Sequence, residues 1–167
     1  MHLLDKSFIR SPKSYILQSL LAVIAVLIIL TFVEVLTHTA IVAALGSSAF
    51  IVFAMPNHVT AGPRRLIGGH IVGIICGLFC YYLFLTGPLG EISEDIVFVR
   101  WFAAAFSVGL SIFLMTITNT EHAPAAATAL GITIHVPSYQ VALFILACSI
   151  LLAVTRRFCR GWLKNLF

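Results

Sequence analysis

Charge is scarce in this sequence. Only 10% of its 167 residues are Asp, Glu, Lys or Arg, and 60% are hydrophobic; a soluble domain has about a quarter charged and about half apolar residues. A soluble fold of this length could bury a core, but it could not hide this much apolar surface. The mean hydropathy of +1.08 points to a bilayer. Cysteine is sparse too. Cys76, Cys80, Cys148 and Cys159 lie in or beside apolar runs and form no C-x-x-C pair, so zinc-ribbon and dithiol spacings are absent. They read as small apolar filler with inert thiols, and neither a metal nor a cofactor is expected. The aromatic residues are not interleaved with basic ones, so no nucleic-acid partner is expected. There is no G-x-S-x-G or H-E-x-x-H pattern, and the chain is not expected to be an enzyme.

What is present is a series of apolar runs. Tyr15–Leu36, Leu66–Thr86, Val97–Thr118 and Tyr139–Phe158 meet or approach the roughly 20 residues that cross a hydrocarbon core as helix. The first is longer than a signal-peptide core and lacks an A-x-A site after it, so it reads as a true span. Ala40–Pro56 and Ala123–Val136 are shorter, contain Gly, Pro, Ser or Thr, and reach only about 20–26 Å as helix.

Basic residues assign the sides, because Lys and Arg favour the cytoplasmic face. Lys6, Arg10 and Lys13 precede the first run, Arg64 and Arg65 precede Leu66, and Arg156, Arg157, Arg160 and Lys164 end the chain. The segment Gly87–Ile96 has no Lys or Arg but contains Glu91, Glu94 and Asp95. Both termini and the Arg64 region are therefore expected to be cytoplasmic, in a cell (inner) membrane, with the acidic segment outside. That requires an even number of crossings before Arg64, and six in all satisfies it if both short runs cross. Four would require both to re-enter, which would leave Arg64 outside.

Ala44-Leu45-Gly46 recurs as Ala129-Leu130-Gly131, an offset of 85 residues that also matches Thr31 with Thr116 and Ala40 with Ala125. Each half reads long, short, long, and with three crossings per half the second half is inverted. The expected fold is a single all-α transmembrane domain of about six segments in two inverted three-segment repeats, about 15–86 and 97–158. The second segment of each repeat is expected to be short and Gly/Pro-interrupted. Such paired short segments mark the binding sites of many transporters, and helix N-termini there suit an anion.

The residues expected to line such a site are Gly46, Ser47, Ser48, His122, Pro124 and Thr128. Pro124 suits a first helical turn, and His122 could donate to an anion or carry a proton. His70, Glu121, Arg64, Glu34 and Arg100 are candidates for proton coupling or a polar network, since an intramembrane carboxylate wants a partner; Glu34 with Arg100 is one such pair. Arg100 beside Trp101 also reads as an interfacial anchor. Gly69, Gly73 and Gly77 form G-x-x-x-G twice over, a packing face for another helix within the chain or across a dimer.

His122-Ala123-Pro124-Ala125-Ala126-Ala127-Thr128-Ala129-Leu130 resembles the signature of the HPP family of integral membrane proteins, His-Pro-Pro followed by small residues and Ala-Thr-Ala-Leu. Pro63-Arg64 with Ile67-Gly68-Gly69-His70 resembles a second block of that family, and Ala44-Leu45-Gly46 a first. The resemblance spans about residues 15–158 and departs at Ala123, where the family has Pro. Family descriptions count four spans. The resemblance implies a small transporter; plant and cyanobacterial relatives are associated with nitrite movement. The expectation is a transporter or channel for a small inorganic anion, nitrite first, embedded in the lipid bilayer as a homo-oligomer, with a midplane site between the two short segments. The alternatives are a structural or assembly subunit of a membrane complex and, further off, an intramembrane enzyme using Ser47 or Ser48 with His122.

Overall fold

A computed structural model describes residues 11–31, 39–86, 89–90 and 96–166. Glu34 and the acidic trio Glu91, Glu94 and Asp95 lie outside the described residues. Among the described residues there are six α-helices and no strand. They are α1 (Pro12–Thr31), α2 (Thr39–Ala54), α3 (Pro63–Cys80), α4 (Val97–Thr118), α5 (Ala123–Ile134) and α6 (Tyr139–Cys159). A 3-10 turn, Val59–Ala61, precedes α3, and a π-helical turn, Tyr81–Thr86, extends it. Among the described residues three elements are long and apolar enough to cross a membrane: α3 with its extension, α4 and α6. α2 and α5 have 16 and 12 residues, about 24 and 18 Å of helix.

The two short helices meet at the centre and run in opposite directions. Ser48, late in α2, touches His122 at the start of α5, while Ile41, early in α2, lies against Gly131, late in α5. Two equivalent helices in opposite orientations are what an inverted repeat requires, and each half keeps its long, short, long order. The helices themselves differ from expectation in one respect. Gly46 and Gly131 lie inside continuous helix and break neither. A Cβ on Gly131 would sit 2.7 Å from Ile41 Cγ1, so this glycine serves close packing. The prolines act at the ends instead: Pro124 occupies the first turn of α5, and Pro56 follows the last turn of α2. Proline lacks the N–H that a helix interior needs, and first turns and helix exits tolerate that loss.

α3 runs parallel to α5 and is in intimate contact with it. Gly69 lies on His122 and Thr120, Gly73 on the Ala125 carbonyl and Gly77 on Ala129 and Ile132. The G-x-x-x-G face is thus filled from within the chain. α4 buries one narrow stripe, Ala103, Ser107, Ser111 and Met115, one residue per turn, and leaves Trp101, Phe113 and Ile117 exposed. Exposed apolar side chains along α1 (Ile16, Leu20, Val23, Leu27) complete a lipid-facing exterior.

Two apolar clusters bracket the centre. Ile41, Leu45, Ile74, Ile132, Ile145 and Cys148 form one, and Ala49, Val52, Phe53, Leu66, Leu152, Ala153 and Leu163 form the other. The second lies at the basic end. There Gln18 of α1, fully buried, donates to the Phe53 carbonyl and, at 2.8 Å, to that of Lys164. The Leu166 N–H caps the Ala54 carbonyl at 2.9 Å, and Arg156 donates to the Pro56 carbonyl at 2.8 Å. The tail after α6 therefore closes the end of α2, whose last carbonyls have no partner within the helix.

A buried serine and histidine site between the short helices

Asn119 ends α4 in the left-handed conformation, φ 57°, a conformation asparagine tolerates well. The Thr120 N–H then returns to the Met115 carbonyl at 2.9 Å. This tight reversal aims the chain back along α3. Gly68 and Gly69 give it room, because a Cβ at either position would meet Thr120 or the His122 Cβ at 2.7–2.8 Å. His122 becomes the N-cap residue of α5 in an extended conformation, but its ring makes no capping bond. The ring instead enters the protein.

Four side chains from three helices meet there. Ser48 Oγ lies 2.9 Å from His122 Nε2 and 3.0 Å from His70 Nε2. His70 Nδ1 lies 2.9 Å from Thr128 Oγ1. His122 Nδ1 lies 3.1 Å from the Thr60 carbonyl oxygen on the 3-10 turn. The imidazole rings stand edge to face, 5.3 Å between centroids. Ser48, His70 and Thr128 have no exposed surface and His122 has 1%. Buried polar groups that lacked partners would be costly, and here the partners are one another.

An ion pair stands at the edge of this group. Arg65 Nε donates to Glu121 Oε2 at 2.9 Å, Arg65 also donates to Asn119 Oδ1, and Arg64 donates to the Thr118 carbonyl at 3.0 Å. The two arginines hold the link between α4 and α5 against the start of α3. The Glu121 carboxyl is held below the usual carboxylate range, first by a bond from its own backbone N–H and then by Arg65. His70 stands five residues beyond Arg65 on α3, about 8 Å deeper. In the 24-residue span Pro63–Thr86 that places His70 between the basic end and the middle.

Of the residues expected to line a site, the structure brings together Ser48, His122 and Thr128, adds His70, and places Pro124 buried beside them in the first turn of α5. It does not bring Gly46 and Ser47 there. Ser47 is exposed and donates to the Ala43 carbonyl at 2.8 Å. Gly46 faces a shallow groove with Ala22, Val26 and Phe50, between α1 and α2. Only every third or fourth residue of a helix shares a face, so three consecutive positions cannot all turn inward. Arg100 is at the opposite end, where it lines a cavity of about 390 Å³ with Tyr81, Thr86 and His135. Its expected partner Glu34 lies outside the described residues. The Thr60 carbonyl was not foreseen, since a backbone oxygen leaves no mark in the sequence; a histidine needing a second partner was the available hint.

The family model for the HPP transmembrane region matches residues 9–165. A transmembrane protein of Dictyostelium discoideum is 35% identical over 91 residues, 54% of this chain and 28% of the relative. The chain thus matches little more than a quarter of that relative's length. No solved structure matches this chain.

Proposed function

Since this chain belongs to the HPP family of transmembrane proteins, we propose that it carries a small inorganic anion, nitrite first, across a cell (inner) membrane. The observation that carries this reading is the convergence of Ser48, His70, His122 and Thr128, fully buried, between two short opposed helices of a membrane protein. Ionisable residues inside a membrane are expensive and mark substrate or proton pathways. The N-terminus of α5 adds partial positive charge beside His122, and hydroxyl and imidazole donors suit a planar oxyanion. The cavity holding Arg100 and His135 is the mouth on one side, and Arg64 and Arg65 flank the exit on the other.

The basic end supports the orientation. Contacts of Gln18, Arg156 and the tail bring the start of α1, the end of α2 and the end of the chain together, next to the start of α3 with Arg64 and Arg65. Such a concentration of Lys and Arg favours the cytoplasm, so both termini would lie there.

The test is anion flux in proteoliposomes, with nitrite, nitrate, formate and chloride, beside His122→Ala. Saturable nitrite flux abolished in a folded, inserted variant supports the reading. No flux of any anion from inserted wild-type protein overturns it and favours an assembly role.

One contact favours a second reading. Ser48 Oγ at 2.9 Å from His122 Nε2 is the spacing of a nucleophile and its base. An intramembrane hydrolase would need a substrate path to Ser48, which has no exposed surface. Covalent labelling of Ser48 by a serine-reactive phosphonate would establish it.

A further inference from the structure

A carbonyl oxygen accepts hydrogen bonds and cannot donate them. His122 Nδ1, facing the Thr60 carbonyl at 3.1 Å, therefore carries a hydrogen. In neutral His122 the other nitrogen, Nε2, is then bare and must accept from Ser48. Ser48 Oγ has one hydrogen and two lone pairs, and three neighbours: the Ala44 carbonyl at 2.9 Å, His122 Nε2 at 2.9 Å and His70 Nε2 at 3.0 Å. With both rings neutral, Ser48 donates to His122 and accepts from His70. With a proton added at His122 Nε2, Ser48 accepts from both rings and turns its own hydrogen to the Ala44 carbonyl. Both states leave every side chain of the group paired.

His70 differs from His122 in one respect. Its Nδ1 faces the hydroxyl of Thr128 at 2.9 Å, which can donate or accept, so His70 can take either neutral tautomer. Thr60 fixes one ring and Thr128 leaves the other free.

We propose that Ser48 is a proton bridge between His122 and His70, and that this relay holds the proton accompanying the anion; the second part rests on the transporter reading above. Transfer begins with His122 as imidazolium and with His70 protonated at Nδ1, donating to Thr128. The N–H bond at His122 Nε2 breaks and its proton joins Ser48 Oγ. The original O–H bond of Ser48 breaks and its proton joins His70 Nε2. Positive charge passes from one ring to the other, Ser48 ends as a neutral hydroxyl facing His122, and no other reactant takes part. The proton moves from the Thr60 side toward Thr128, deeper along α5.

The charged and titratable groups near the relay come from several elements. The 3-10 turn brings His58, whose Nδ1 is 2.8 Å from Thr60 Oγ1, and α3 brings Arg64 and the paired Arg65. Glu121 adjoins His122, and Arg156 of α6 reaches the Pro56 carbonyl. Among the described residues α2, α4 and α5 bring only neutral hydroxyls and amides to this side, through Ser48, Thr118, Asn119 and Thr128.

The test is nitrogen-15 NMR of labelled histidine in the full chain in lipid bilayers, between about pH 4 and 8, with nitrite and proton flux measured on the same vesicles. The relay predicts that His122 holds the Nδ1–H tautomer when neutral. It also predicts that the Nε2 signals of His70 and His122 move together with one midpoint. Ser48→Ala should split this into two midpoints, and Ser48→Thr should restore one. Independent titration in the wild type, or a joint midpoint unchanged in a folded Ser48→Ala variant, overturns the relay. Nitrite flux without accompanying protons overturns its coupling role. Joint titration in protein that moves no anion overturns the transporter reading, and with it the coupling role, but leaves the proton bridge standing, so the two failures are told apart.

Discussion

Gly73 of α3 rests on the carbonyl of Ala125 of α5, with no room for even a methyl group between them. This contact fixes the spacing of the helices that carry His70 and Thr128. Gly73→Ala must push α5 away or distort it, and overpacking of this kind costs about 1–3 kcal/mol. The thermal midpoint in detergent should fall by several degrees, and His70 should lose its bond to Thr128. Gly46→Ala is the control, since a Cβ there meets nothing within 4 Å. Equal midpoints for Gly73→Ala and wild type would show that α5 is not held by this seam.

The two histidines and this seam were legible in the sequence for different reasons. A glycine every fourth residue can only be a face, and the structure shows which helix fills it. His70 and His122 stood out because polar residues are rare in such apolar runs. Their meeting through Ser48 was not legible, because three helices from separate parts of the chain contribute and about 100° of helix rotation decides whether Ser47 or Ser48 points inward. The interruption expected at Gly46 and Gly131 failed for a related reason. Glycine weakens a helix only mildly, and where a neighbour needs the space the helix continues through it. Pairing of Arg65 with Glu121 was also hidden, since each had other candidate partners or reasons to lie at a membrane boundary.

Gln18 was not distinguished in the sequence at all, yet it joins three parts of the chain. Its amide donates to the Phe53 and Lys164 carbonyls, and its Oε1 accepts from the Lys164 N–H at 3.3 Å. Gln18→Leu keeps most of the volume but leaves buried backbone groups without partners, at about 1–3 kcal/mol for each group left unpaired. The tail after α6 should loosen before the helices do. Hydrogen exchange should accelerate at Leu163 and Leu166, whose N–H groups bond to Cys159 and Ala54, while α3 and α5 keep their protection. Unchanged exchange at Leu166 would mean that the tail is held by Leu163 and its apolar neighbours alone.

Glu121 and Arg65 give a dependence on pH whose sign is fixed. The carboxyl is held below its ordinary value of 4.5, first by its own backbone N–H and then by Arg65. An acid with a lowered folded pKa binds its proton more readily in the unfolded chain. Its contribution to stability is therefore complete above the ordinary value, and is lost as pH falls from there through the folded value. Both side chains are partly exposed, at 25% for Arg65 and 42% for Glu121, so solvent and salt weaken the pair. Thermal midpoints measured from neutral to acid pH at low salt should decline for the wild type below the ordinary carboxylate value. Glu121→Gln cannot titrate, so its decline across that window should be shallower, while at neutral pH it should start lower than the wild type. High salt should bring the neutral-pH midpoints of the two proteins closer. Parallel declines would place the acid sensitivity in other carboxylates and leave Arg65 to Asn119 and its own helix.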